Sequence, residues 1–173
     1  MTIHSDHPFL EPESERDPAR RLRGRLGGTV TLMTTGAGRD RAGLTVSSLM
    51  VAGGDPGYVL ALVDPDSDLA DTVQERGVAV VQLLEWRHRD LAEAFAGQAP
   101  APGGAFKLAT WAETEWGPRL EDAGAWAGLR VADAHEVGWS LLLEMRIEHV
   151  EIGEEHEPLV HRRGRYARAE SPG

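Results

Sequence analysis

Arg41 to Asp64, RAGLTVSSLMVAGGDPGYVLALVD, is the stretch that decides the fold, because two β-type apolar runs bracket a cluster of small hydroxyl residues. Thr45, Ser47 and Ser48 offer hydrogen-bond donors to an anion. Directly downstream, Pro65-Asp66-Ser67-Asp68 opens a helical pattern, so one more hydroxyl and a set of free backbone N–H groups can converge on the same place. A phosphate can be held this way without a glycine-rich nucleotide loop.

Outward from that stretch, the punctuation is regular. Asp17-Pro18 reads as an N-cap with proline at the first helical position, leading a short basic helix that Gly27-Gly28 ends. Thr29 to Thr35 alternates and is rich in β-branched residues, and Gly36 to Asp40 supplies a turn before a strand over Ala42 to Val51. Tyr58 to Val63 is a nearly continuous apolar run, expected to be buried on both faces. Ser67 or Asp66 caps a helix to about Arg76 with Leu69, Ala70 and Val73 as its stripe, and Gly77 stops it. Val78 to Leu84 reads as a buried strand, Arg87 to Phe95 as a helix, and residues 99–104 as a loop. Later strands are expected at Ala125 to Ala134, Ser140 to Ile152 and Pro158 to His161. Six or seven strands interrupted by short helices make a mainly β fold, best satisfied by a small barrel.

This order of motifs resembles the flavin reductase-like family. The segments that carry the resemblance are LTVSS, the DPDSD turn with its helix, VAVVQLLEWRHRDLAEAFAG, and PLVHRRGRY, spanning roughly residues 22 to 168. The resemblance implies an FMN-binding split β-barrel. It implies cofactor contacts at Thr45, Val46, Ser47, Ser48, Asp64, Ser67 and Asp68, and near Arg163, Arg165 and Tyr166, whose segment in the family lies close to the flavin across a dimer contact. Taken singly, Ser67 reads equally as a helix cap, the strand hydroxyls as solvent-facing, and RRGRY as a solvated basic run.

Asp66, Asp68 and Asp71 oppose a phosphate at that helix end, and Arg163 and Arg165 are the natural compensation. Trp111 and Trp116 lie in the loop-rich segment LATWAETEWGPRL, and Trp116 and Trp139 are candidate substrate contacts. No catalytic side chain is demanded, because the flavin itself accepts hydride and the protein supplies orientation. Many family members carry Gly-Asp-His beside the nicotinamide site. Here the matching place reads Gly138-Trp139-Ser140, and Gly57 stands where the family has its second turn proline.

The implied function is a homodimeric, FMN-dependent reductase taking hydride from NADH or NADPH and supplying reduced flavin to a partner monooxygenase. The alternatives are an FMN-binding carrier or accessory protein without NAD(P)H turnover, and a barrel that serves only assembly.

The totals narrow the field. The chain has 173 residues, enough for one compact domain, with residues 1–18 expected to form a mobile arm, 19–169 the barrel and 170–173 a tail. Eighteen basic against 28 acidic residues give a net charge of −10, which disfavours nucleic acid and anionic membranes. With no cysteine, disulfides and thiolate chemistry are excluded. The first 21 residues lack a signal peptide's basic start and apolar block, so a cytoplasmic location is expected.

Other motifs fail. Asp64, Asp66, Asp68 and Glu75 match EF-hand spacing, but Leu69 replaces the required glycine. His135, His149, His156 and His161 lack the close helical or loop spacing of a metal site, so no metal is expected. Gly36 to Gly38 is a turn, not a dinucleotide fingerprint, and no nucleophile elbow is present.

Overall fold

The computed structural model describes residues 17–169; the expected arm over 1–18 lies almost wholly outside them, as does the tail. Its centre is one antiparallel sheet. In chain order its strands are β2 (Thr31–Thr35), β3 (Ala42–Val46), β4 (Leu49–Ala52), β5 (Tyr58–Val63), β6 (Val78–Leu83), β9 (Ala125–Val137) and β10 (Ser140–Ile152). They lie in the order β3-β2-β6-β9-β10-β5-β4, so the two edge strands, β3 and β4, are neighbours in the chain. Only Ser47 and Ser48 separate them. A seven-stranded sheet whose edges are joined by two residues has to curl, and the Leu62 N–H carries the β4–β5 ladder up to the seam by donating to the Ser48 carbonyl at 2.9 Å. The result is a half-barrel with a seam at Ser47–Ser48.

Helix α2 (Asp68–Arg76) plugs the curled sheet. Its Leu69, Ala70 and Val73 join Met33, Val46, Val59, Leu129, Leu143 and Met145 in the inner core. Each fully buried Leu, Val or Met there stabilises by about 1.5–3 kcal/mol relative to exposure. Ser67 caps the helix, accepting from the Ala70 N–H at 3.1 Å, and Gly77 stops it in the left-handed conformation (φ 74°).

A second core lies on the outer face of β2. Val30, Leu32, Leu84, Leu120 and Leu159 meet Leu91, Ala92 and Phe95 of α3 (Arg89–Phe95), with Trp111 and Tyr166 packed beside them. All five residues of β2 are therefore buried, and its three threonines donate to Val46, Pro118 and Val78 carbonyls at 2.6, 2.5 and 2.7 Å. The cover comes from a hairpin of β7 (Trp111–Thr114) and β8 (Gly117–Leu120), and from a small sheet of β1 (Gly28–Thr29), β11 (Leu159–Arg162) and β12 (Arg165–Arg168). Helix α1 (Pro18–Leu26), capped by Asp17 as its Pro18 signals, packs against β11.

Three expectations need correction. The single strand over Ala42 to Val51 is broken at Ser47, because the chain must cross from one sheet edge to the other. Tyr58 to Val63 is not buried on both faces: burial alternates and Leu62 is 37% exposed, since no layer covers that side of β5. The loop-rich segment around Trp111 and Trp116 is a hairpin, and with β1 and β12 it brings the strands to twelve among the described residues.

Candidate functional site

The seam is where the expected ligand contacts gather. Ser47 and Ser48 are half-buried, and neither hydroxyl has a partner among the described residues. Leu62, bonded to Ser48, lies two residues before Asp64, so the end of β5 delivers the DPDSD turn beside the seam. In that turn, Asp64 accepts from the Asp66 N–H at 2.9 Å through its side chain and from the Ser67 hydroxyl at 2.7 Å through its carbonyl. The N–H groups of Asp68 and Leu69, in the first turn of α2, have no partner within the described residues. Free donors of this kind, two hydroxyls at the seam and two amides at the helix start, are the chemistry an anion needs.

The remaining members divide. Val46 is buried in the inner core, and its carbonyl is taken by Thr31. Thr45 offers only backbone, because its hydroxyl donates to the Ala92 carbonyl at 2.6 Å and fastens α3 to the sheet. Ser67 is both the cap and a donor to Asp64, so its side chain is already committed twice. Asp64, Asp66, Asp68 and Asp71 are all exposed around the helix start.

The arginine hairpin reaches this neighbourhood through β1. A Cβ on Gly28 would sit 2.9 Å from the Ser47 carbonyl oxygen, and Gly28 pairs with His161 of β11. From the sequence Gly28 reads only as a helix stop; its second duty, close approach to the seam, has no local signal. Arg163 sits in the left-handed region (φ 53°) at the tip between β11 and β12, where its N–H donates to the Gly24 carbonyl of α1 at 2.9 Å. Arg165 is exposed at the start of β12. Tyr166 faces the outer core, packed edge-on to His161 at 5.3 Å, and burial pushes its phenol up to about 12, with Glu93 adding to the effect.

The two tryptophans are far from each other. Trp116 lies flat over Gly128 on the outer face of β9, while Trp139 is 83% exposed in the two-residue turn between β9 and β10. Ten residues of strand separate Gly128 from Gly138, a span of about 30 Å. Two clefts lie elsewhere: one of about 550 Å³ runs between His88, Leu108 and Asp122, and one of about 300 Å³ lies beside Trp86 and Glu157.

A curled antiparallel half-barrel plugged by one helix defines a small β-barrel-type domain. The chain belongs to the flavin reductase like domain family, whose sequence model matches residues 23–170. It is 32% identical to the FMN reductase (NADH) RutF of Bradyrhizobium diazoefficiens over 70% of this chain and 68% of that protein. It is 25% identical to the 4-hydroxyphenylacetate 3-monooxygenase reductase component of Pseudomonas aeruginosa over 94% of this chain and 96% of that one. In fold it matches the NADH:FAD oxidoreductase of Streptomyces globisporus with a TM-score of 0.80 at 23% identity, covering 93% of this chain and 100% of the other.

Proposed function

We propose that this protein is an NAD(P)H-dependent FMN reductase, working as a homodimer and delivering reduced flavin to a partner monooxygenase. The observation that carries the reading is the unused donor set at the seam: the Ser47 and Ser48 hydroxyls with the Asp68 and Leu69 amides. Those groups suit the phosphate and ribityl oxygens of FMN, and the family and its relatives' names supply the chemistry. Bound FMN would supply the hydride acceptor.

The protein's own work is then binding and orientation. The seam fixes the phosphate end, and Arg163 and Arg165 offset the aspartates around α2. The homodimer rests on the family resemblance, in which the segment matching Arg163, Arg165 and Tyr166 lies close to the flavin across a dimer contact. Among the described residues no helix is long and apolar enough to cross a membrane.

The test is anaerobic mixing of the FMN-loaded protein with NADH and, separately, NADPH. Rapid bleaching of the flavin absorbance band with either supports a competent hydride site. An unchanged spectrum with both assigns the protein to the carrier class, a reading that Trp139 and Ser140 favour by standing where the family has Asp and His. A protein that neither co-purifies with FMN nor quenches its fluorescence serves assembly only.

A further inference from the structure

The outer face of the β9–β10 hairpin carries a group of side chains that the flavin chemistry does not use. Asp133 and Glu144 are directly opposite each other in the ladder, and His135 is two residues further along the same face of β9. One ligand atom from each of the three lies within 4.8 Å of the other two. We propose that Asp133, His135 and Glu144 form a binding site for a divalent transition-metal ion of the zinc type, held by one imidazole and two carboxylates.

Charge is the first argument. Two carboxylates facing each other across a ladder repel, and such a pair is normally relieved by a nearby cation. None is supplied. The two arginines of the next cross-strand pair, Arg146 and Arg130, both turn to Glu148, at 3.5 and 3.1 Å. Asp133 has only His135, and Glu144, although half-buried, has no hydrogen bond or ion pair among the described residues. A doubly charged cation between the two carboxylates would balance them.

Geometry is the second. The His135 Nδ1 and the Asp133 carboxylate oxygen are 3.0 Å apart. Ligands at about 2.1 Å from one metal are separated by about 3.0 Å along an octahedral edge and about 3.4 Å along a tetrahedral one. The imidazole–carboxylate contact therefore already has the span of two ligands on one ion. The metal takes the Nδ1 position facing Asp133, so the imidazole binds as the neutral tautomer that carries its one proton on Nε2. Glu144 supplies the third donor, within 4.8 Å of the other two, and the exposed side leaves the remaining positions to water.

Donor type decides the class of ion. One nitrogen and two carboxylates are softer than the all-oxygen sets of calcium and magnesium, and without thiolates the site is weaker than a structural zinc centre. The histidine spacing rule for helices and loops cannot see this group, because a strand ladder, not sequence proximity, brings Glu144 to Asp133.

The experiment is calorimetric titration of Zn²⁺ into the full-length, tag-free protein after chelator treatment. One equivalent should bind, and His135→Ala, Asp133→Asn and Glu144→Gln should each weaken it by at least about tenfold. Glu144→Gln removes a like-charge contact, so its metal-free form should melt no lower than the wild type, which separates lost binding from lost folding. The His149→Ala/His156→Ala and His4→Ala/His7→Ala pairs should bind as the wild type does. Absence of binding, unchanged affinity in His135→Ala, or loss that follows either control pair would overturn the site.

Discussion

The Trp116 ring lies so close to Gly128 that a Cβ there would fall 2.2 Å from Cδ2 of the indole. The ring also stacks on His149 (5.4 Å, 12°) and donates through Nε1 to Glu148 at 2.9 Å. Glu148 is further bound by Arg130, and these hydrogen bonds, Arg130's first, hold its carboxyl below the usual carboxylate range. Trp116 is thereby fixed as a clamp on β9, with the flat strand surface supplied by a residue that has no side chain.

Gly128→Ala should therefore destabilise the fold by about 1–3 kcal/mol through overpacking, and shift tryptophan emission to the red as the ring is displaced. Thermal unfolding with fluorescence detection checks it. An unchanged melting temperature would mean that the ring is not seated against the strand. The Glu148 contribution should be present at neutral pH and lost as pH falls through the carboxyl's lowered value, because the folded state prefers its ionised form.

Local chemistry made much of this fold legible, and the failures share one cause. Asp17-Pro18, Ser67 and Gly77 announce α1 and α2 because capping and left-handed termination are settled within a few residues. The break at Ser47 is invisible because the chain there crosses from one sheet edge to the other, and the strand order that sets the crossing is not local. β7 and β8 were read as loop because Glu113, Glu115 and Pro118 interrupt any apolar alternation. What holds that hairpin is distant: the Leu120 N–H donates to the Gln82 side chain, and the Thr34 hydroxyl to the Pro118 carbonyl. The seam serines were legible as donors. That the Thr45 hydroxyl is committed to the Ala92 carbonyl was not.

Gln82 is fully buried and satisfied on both ends. Its Nε2 donates to the Leu32 carbonyl (3.2 Å) and the Thr34 hydroxyl (3.1 Å), and its Oε1 accepts from the Leu120 N–H at 2.8 Å. Gln82→Leu keeps volume but strands a buried amide, which should lower stability by about 1–3 kcal/mol in denaturant unfolding. Wild-type stability in that variant would show that the hairpin docks by apolar contact alone.

Tyr166 sets an alkaline limit. Its phenol is pushed up to about 12 by burial and by Glu93, above the ordinary value near 10. The folded state favours the neutral phenol, so this contribution is complete below about pH 10 and disappears as pH rises through about 12. The ultraviolet difference titration between the wild type and Tyr166→Phe should show one phenolate forming near pH 12. Over the same interval the wild type should lose stability relative to the variant. Ionisation near pH 10 instead would place the hydroxyl in water.

Ser67 allows cap and cofactor to be separated. As the N-cap of α2 its hydroxyl accepts from the Ala70 N–H, so Ser67→Ala should cost about 1 kcal/mol of stability whatever the ligand. Asp caps as well as Ser but cannot donate to the Asp64 carbonyl, so Ser67→Asp should lose no more stability than Ser67→Ala while adding a negative charge at the helix start. If FMN phosphate sits over the Asp68 and Leu69 amides, Ser67→Asp should bind FMN at least about tenfold more weakly, by like-charge repulsion at short range. Ser47→Ala and Ser48→Ala have no cap to lose and should each weaken FMN by about 1 kcal/mol with melting temperatures unchanged. Fluorescence quenching of FMN, run beside thermal melts of the same four variants, reads both quantities. Wild-type affinity in Ser67→Asp would remove the phosphate from the α2 terminus, and wild-type affinity in the Ser47 and Ser48 variants would remove it from the seam.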